Sequence, residues 1–176
     1  MIINVRTAKL EDAVGVATVH IASWRETYYG IVPDDFLNEL SLERRTAQWT
    51  NSLSNLDDEY HRAFVAELDG QIVGFANYGF VRESDPLHQG ELFAIYVLQS
   101  VHKRGVGGML VSAIAQGLLD LGVSSMLVWV LRENPARGFY ERLGGRYLRE
   151  KMIEIGGREL PEIAYGWQDI KILQRG

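Results

Sequence analysis

Cysteine is absent from the 176 residues. That absence alone excludes disulfides, thiolate metal sites and a cysteine nucleophile. No apolar run approaches the roughly 20 residues of a membrane-spanning helix. The apolar start of MIINVRTAKLEDA is too short for a secretion signal, and acids follow it at once. An excess of positive charge is missing too. Lys and Arg number 18 against 23 Asp and Glu, a formal net charge of -5, which argues against a general nucleic-acid binder. The chain is therefore expected to be cytoplasmic, with no nucleic-acid and no membrane partner. The Walker pattern G-x-x-x-x-G-K-[ST] does not occur, and the dinucleotide pattern G-x-G-x-x-G fails where Leu110 stands. His20, His61 and His88 show no metal-ligand spacing and read as surface or loop histidines, so no metal is expected. Ser23 and Ser84 lack a histidine arrangement for a hydrolase triad.

What is present is core material. At 47% hydrophobic and 23% charged, the chain can bury a proper interior, and its length suits a single domain over residues 1–176. Ile2 to Arg6 reads as a strand. Leu10, Ala13, Val14, Ala17, Ile21 and Trp24 recur at helical spacing, and Asp34 or Asp35 leads into a second helix through Leu37, Leu40, Arg44 and Trp49. NSLSNLDDEYH reads as a polar loop. Asp69-Gly70 marks a hairpin, and GELFAIYVL is an apolar, buried strand. A glycine turn and a helix ending at Gly122 follow, then the strand VSSMLVWVL. Asn134 and Pro135 open a helix as N-cap and first residue, and two final strands flank Gly156-Gly157. The count is seven strands and four helices, a mixed α/β domain around one sheet.

Gly105, Gly107 and Gly108 stand between the apolar strand and the helix after it. Glycine weakens a helix start by about 1 kcal/mol relative to alanine, so the turn needs special backbone angles or a close approach. Free N–H groups at a helix start favour anions, and His102, Lys103 and Arg104 add positive charge beside them. A tight connection with no ligand satisfies the local pattern equally well.

Taken in order, these segments resemble the GNAT superfamily of acyl-CoA-dependent N-acyltransferases. The resemblance rests on ELFAIYV followed by the turn His102 to Gly107, on ENPARGFYERLGG, on the hairpin ELDGQIVGFANY, and on RTAKLEDA and HIASWRETYYGIVPDDFL. It implies an α/β (α+β) fold: a mostly antiparallel seven-stranded sheet, flanked by about four helices and splayed between strands 4 and 5. It implies acetyl-CoA as acyl donor. The donor's pyrophosphate would meet the N–H groups of Lys103, Arg104, Gly105, Val106, Gly107 and Gly108, and its pantetheine arm the backbone of Ile95, Tyr96 and Val97. His102 departs from the family's usual Gln or Arg, and Gly144-Gly145 from its usual Gly-Phe. The implied activity is direct transfer of an acetyl group to a primary amine of a small molecule or peptide, in a ternary complex. A non-catalytic acetyl-CoA sensor and a transferase for longer acyl groups are the alternatives, and a homodimer is among the assemblies the resemblance allows.

The same resemblance assigns candidate roles. Tyr140 is the candidate acid that protonates the leaving thiolate; as a core ring it would need no such role. Asn134 caps its helix and contacts the pantetheine arm. Glu91 is the candidate base for the ammonium, or else a strand-edge carboxylate. Strand alternation places Glu91, Phe93, Ile95 and Val97 on one face, and a backbone N–H at Val97 or a neighbour would hold the developing oxyanion. Trp24, Tyr28 and Tyr29, with Glu26, can cradle a cationic amine, and Trp129 can wall its pocket; core packing explains both tryptophans as simply. Arg25 and the RESDPLHQ loop shape the same end. Ribosomal-protein N-terminal acetyltransferases of the superfamily tend to carry a glutamate where Val128 stands, which weakens that reading.

Overall fold

A computed structural model describes residues 2–54 and 62–174. Strand β1 (Ile3–Thr7) leads through a single 3-10 turn into α1 (Ala13–Tyr28). The second predicted helix is two helices, α2 (Asp34–Asn38) and α3 (Leu42–Ser54), which brings the total to five among the described residues. Ser41 separates them: its carbonyl accepts the N–H of Arg45 at 2.9 Å and its hydroxyl that of Arg44 at 3.3 Å. This is the N-cap chemistry that starts a helix afresh. The predicted loop from Asn51 is helical as far as Ser54; the rest of it, including His61, lies outside the described residues.

Strands β2 (Arg62–Leu68) and β3 (Gln71–Phe80) join at Asp69-Gly70, whose φ angles of 50° and 81° match the left-handed hairpin turn that this pair favours. Strand β4 (Gly90–Val97), α4 (Val106–Asp120), β5 (Met126–Leu131) and α5 (Arg137–Arg142) follow, then the hairpin β6 (Arg146–Ile155) and β7 (Arg158–Trp167). The seven strands form one sheet in the order β1-β2-β3-β4-β5-β7-β6. Among the described residues only the β4–β5 pair is parallel.

The sheet buries both faces. On one, Leu110, Ile114 and Leu118 of α4 pack with Tyr78, Leu92, Met126 and Val128. On the other, Val16, Ala17 and Val19 of α1 and Trp49 and Leu53 of α3 pack on Val65 and Phe75. Among the described residues no helix is long and apolar enough to cross a membrane, and no cluster of His, Asp or Glu could hold a metal ion. The Gly144-Gly145 departure is accommodated by Trp167. A side chain at 145 would meet its indole at 2.7 Å and the Tyr140 carbonyl at 2.9 Å, and the indole N–H bonds the Leu143 carbonyl at 2.9 Å.

Candidate active site

Strands β4 and β5 pair only at Gly90–Met126, Glu91–Leu127 and Leu92–Val128. Beyond that they part. Phe93 to Val97 on one side and Val128 to Val130 on the other line a cleft of about 510 Å³. A bulge at Phe93 helps to open it: Leu92 opposes Tyr78 while Ala94 opposes Asn77, so Phe93 is the extra residue between two adjacent registered pairs. The extra residue reverses the side-chain alternation. Ile95 and Val97 face the α4 side with Leu92, whereas Ala94 and Tyr96 face α1. Glu91 therefore lies on the opposite face from Ile95 and Val97, contrary to simple alternation.

The bulge also fixes the backbone. The Leu98 N–H donates to the Val73 carbonyl at 2.9 Å. Strand alternation then turns the polar groups of Tyr96 and Ala94 to β3 and leaves those of Ile95 and Val97 directed into the cleft. Of the three residues expected to pair with a ligand through their backbone, Tyr96 offers only its ring. His102 lines the cleft, and its Nε2 lies 2.9 Å from the Val97 carbonyl.

At the mouth of the cleft the glycine turn becomes the start of α4. Gly105 is the N-cap with φ 79°, a left-handed angle that favours glycine, and Lys103 shares that region with φ 63°. The first helical bond at this end is Met109 N–H to the Gly105 carbonyl, 3.0 Å. Among the described residues no backbone carbonyl accepts the N–H groups of Lys103 to Gly108. A Cβ at Gly108 would meet nothing within 4 Å, so open space lies over that position, while a Cβ at Gly107 would meet the Phe139 ring at 3.2 Å. Lys103 lines the mouth, as does Arg142, a second cation that sequence reasoning missed. Neither takes part in an ion pair among the described residues.

Deeper in the cleft, α1, β4 and α5 bring three tyrosines together. Asn134 ties Tyr28 to the start of α5: its Oδ1 accepts the Ala136 N–H at 2.8 Å, and its Nδ2 donates to the Tyr28 hydroxyl at 3.1 Å. The helix proper starts at Arg137 rather than Pro135, so Asn134 caps through a turn preceding it. Burial raises the pKa values of Tyr28 and Tyr96, and burial followed by the nearby Tyr28 raises that of Tyr140. All three stay protonated across the physiological range. Ser23 also lines the cleft; its hydroxyl is buried without a hydrogen-bond partner among the described residues. An orphaned polar atom, open N–H groups and a free strand edge are what an extended, anionic ligand would satisfy.

The sequence model of the acetyltransferase (GNAT) family matches residues 13–145. The chain belongs to this family. It is 38% identical over 174 residues to the protein named "Uncharacterized N-acetyltransferase YuaI" of Bacillus subtilis (strain 168), covering 98% of this chain and 96% of that one. Two solved structures share the GNAT fold. The PaiA N-acetyltransferase of Thermoplasma acidophilum in complex with coenzyme A superimposes with TM-score 0.71 at 18% identity, covering 93% of this chain and 98% of its own. The structure of yncA from Salmonella typhimurium with acetyl-CoA gives TM-score 0.71 at 17% identity, covering 96% of this chain and 94% of its own. The chain is an N-acetyltransferase.

Within this GNAT fold several expected site residues lie elsewhere. Glu91 is buried, and its carboxylate is taken by the Arg82 backbone N–H at 3.0 Å and by the Arg82 guanidinium. It does not line the cleft and offers a substrate no open oxygen. Trp24 packs behind Tyr28, with ring centres 4.7 Å apart, and Tyr29 is 77% exposed; neither lines the cleft. Glu26 accepts the Gln99 N–H at 3.1 Å instead of completing an aromatic cage. Arg25 reaches the Leu40 carbonyl at 3.2 Å. Arg104 is exposed outside the cleft. Tyr28 and Trp129 do line it, and so do Ser23, Thr27 and Phe93, to which the sequence assigned no role in the site.

Two histidines read as surface residues are buried or enclosed. His88 is buried, with Nδ1 2.8 Å from Asp85 Oδ1. His20 stacks on Tyr96 with centres 5.1 Å apart and accepts the Trp49 indole N–H at 3.1 Å. Burial, and after it the charge of Arg45, lowers its pKa to about 3. The unfolded chain then binds a proton that the folded one refuses, between pH 6.5 and about 3. His20 thus supports full stability above pH 6.5 and loses it as pH falls. Urea unfolding is expected to show a loss of about 2 kcal/mol between pH 7 and pH 5, absent in His20→Gln.

Proposed function

We propose that residues 1–176 form one N-acetyltransferase domain that moves an acetyl group from acetyl-CoA directly to a primary amine of a small molecule or peptide. The observation carrying this reading is the continuity of the cleft: the backbone edge of Ile95 and Val97 runs into the free N–H groups at the start of α4 and the open space at Gly105 and Gly108. Acetyl-CoA supplies an activated thioester.

This chain's residues would serve it as follows. Lys103, Gly105, Val106, Gly107 and Gly108 hold the diphosphate by N–H groups and helix dipole, with the Lys103 and Arg142 cations at the rim. Ile95 and Val97 hold the amide-bearing arm by strand-like pairing, and one of their N–H groups faces the carbonyl oxygen as charge develops there. His102 already engages the Val97 carbonyl and orients that edge. Asn134 positions Tyr28 beside Tyr140, and Tyr140 holds the proton that the leaving thiolate needs. With no cysteine to form a cysteinyl acyl-enzyme, the amine, after giving its ammonium proton to water, itself attacks the thioester carbonyl carbon. The C–S bond breaks, the sulfur takes the Tyr140 proton, and the proton shed by the new amide nitrogen replaces it on Tyr140.

Calorimetry with acetyl-CoA, followed by thiol release with polyamines, amino acids, aminoglycosides and short peptides, tests this. Binding and release with one amine class is the expected result. Binding without release from any amine would favour a sensor; no binding would sink the reading. Gly108→Glu sharpens it. An acid in the first helical turn is compatible with the fold, so melting is expected to be unchanged while acetyl-CoA affinity falls about tenfold or more through charge repulsion. Unchanged affinity would remove the diphosphate from this turn.

A further inference from the structure

Trp129 lines the cleft from β5, and the side chain of Lys151 reaches back across β7 to cover it. The Lys151 Nζ is 4.3 Å from the centre of the Trp129 ring, and the Arg149 guanidinium carbon is 5.2 Å from it. Arg149 is held by Asp85 at 2.6 Å. Lys151 is shared between two carboxylates, Glu83 at 2.6 Å and Glu162 at 3.6 Å. The longer distance is no hydrogen bond.

Glu162 is unusual among the enclosed carboxylates. Its side chain is 13% exposed, and its contact with Lys151 at 3.6 Å is longer than a normal hydrogen bond. Glu91, Asp85 and Asp12 each accept several. On β7, Glu162 is in register with Leu131 of β5 and Lys151 of β6, on the same sheet face as Trp129. Its charge is felt at Tyr28, a cleft residue. A desolvated carboxylate with spare oxygens beside an aromatic face is a cation seat, and a primary ammonium, that of Lys151, already occupies it.

We propose that Trp129 and Glu162 form the seat for the ammonium of the acceptor, and that Lys151 fills it until the acceptor arrives. The inference rests on the transferase reading above and narrows the acceptor to a primary alkylammonium that competes with a lysine side chain. Glu83 is 65% exposed and holds Lys151 at 2.6 Å, so a displaced Lys151 keeps a partner.

The probe is n-butylamine at pH 7, its binding followed by ligand-observed NMR on protein saturated with coenzyme A, so that no turnover intervenes. Binding to the wild-type protein is expected. Glu162→Gln is expected to weaken it at least tenfold, and Lys151→Gln to tighten it severalfold. Glu159→Gln, an exposed change of the same charge on the same strand, should stay within twofold. Coenzyme A affinity, measured by calorimetry, should be equal in all four proteins, which also reports on folding. A purely structural Lys151 would weaken binding when removed, and that result overturns the proposal. So does an unchanged Glu162→Gln. Absence of butylamine binding with coenzyme A bound overturns the seat and leaves the transferase reading standing; absence of coenzyme A binding overturns both.

Discussion

Tyr140→Phe is expected to lower the rate of acetyl transfer by about a hundredfold or more while leaving acetyl-CoA affinity and thermal stability nearly unchanged. The two effects separate because of how the residue is held. Its ring packs against Phe139, Tyr165 and Trp167, with centres 5.4, 6.3 and 6.4 Å away, and phenylalanine keeps all three contacts. The hydroxyl has no hydrogen-bond partner among the described residues, so removing it strands no buried group. What disappears is a proton inside the cleft. Free thiol and phenol differ by only about 1.5 pKa units. Burial and the neighbouring Tyr28 raise the phenol further, but a thiolate released into the same desolvated space is penalised as well. The raised value also keeps the acid protonated beyond the range where a free tyrosine ionises, so Tyr140 sets no alkaline limit on activity below about pH 10. Single-turnover kinetics are the measurement to make, because slow product release could mask a slower chemical step. A rate within threefold of wild type would make Tyr140 a core ring only.

Much of this site was legible because its signals are local. The turn from His102 to Gly108 announces itself by three glycines beside three potential cations, and Asn134 to Tyr140 by a cap, a proline and an apolar stripe. Both segments carry their geometry in contiguous sequence. What stayed hidden depends on pairing between distant strands. The bulge at Phe93 exists only because Leu92 and Ala94 oppose adjacent residues of β3. No property of Phe93 marks it, so alternation put Glu91 on the wrong face. The restart of the helix at Ser41 was readable in principle, since serine is a strong cap, but a helical reading through Leu37, Leu40, Arg44 and Trp49 runs straight across it. His20 looked like a surface histidine because its aromatic neighbours come from α3, β3 and β4. Glu162 and Lys151 meet Trp129 only through the order β5-β7-β6, which reverses the last two strands relative to the chain.

Gly117→Ala is the stability change expected to be largest, and it ties the core to the cleft. Gly117 lies in α4, where alanine would by propensity gain about 1 kcal/mol. Its Cβ, however, would fall 2.0 Å from the Tyr78 hydroxyl and 2.6 Å from the ring carbon bearing it. Tyr78 has little room to retreat: it is 2% exposed and stacked flat on Phe64, with centres 5.8 Å apart. Overpacking of a tight core costs about 1–3 kcal/mol and occasionally more. With contacts this short the clash outweighs propensity, and urea unfolding should show a net loss of about 2–3 kcal/mol. Relief has to come from α4 lifting off β3. That motion carries Gly105 to Gly108 with it, so acetyl-CoA affinity should fall together with stability. Adding Tyr78→Phe removes the nearest atom and is expected to restore about 1 kcal/mol and part of the affinity, although the phenylalanine alone should destabilise slightly. Gly108→Ala is the opposite case on the same helix. Nothing lies within 4 Å of its Cβ, so it should gain stability by propensity, and any loss of acetyl-CoA affinity then comes from the ligand's side of the helix rather than from the core. Equal stability in Gly117→Ala and wild type would mean that α4 and β3 can separate freely, and the glycine turn would then owe its position to its own backbone alone.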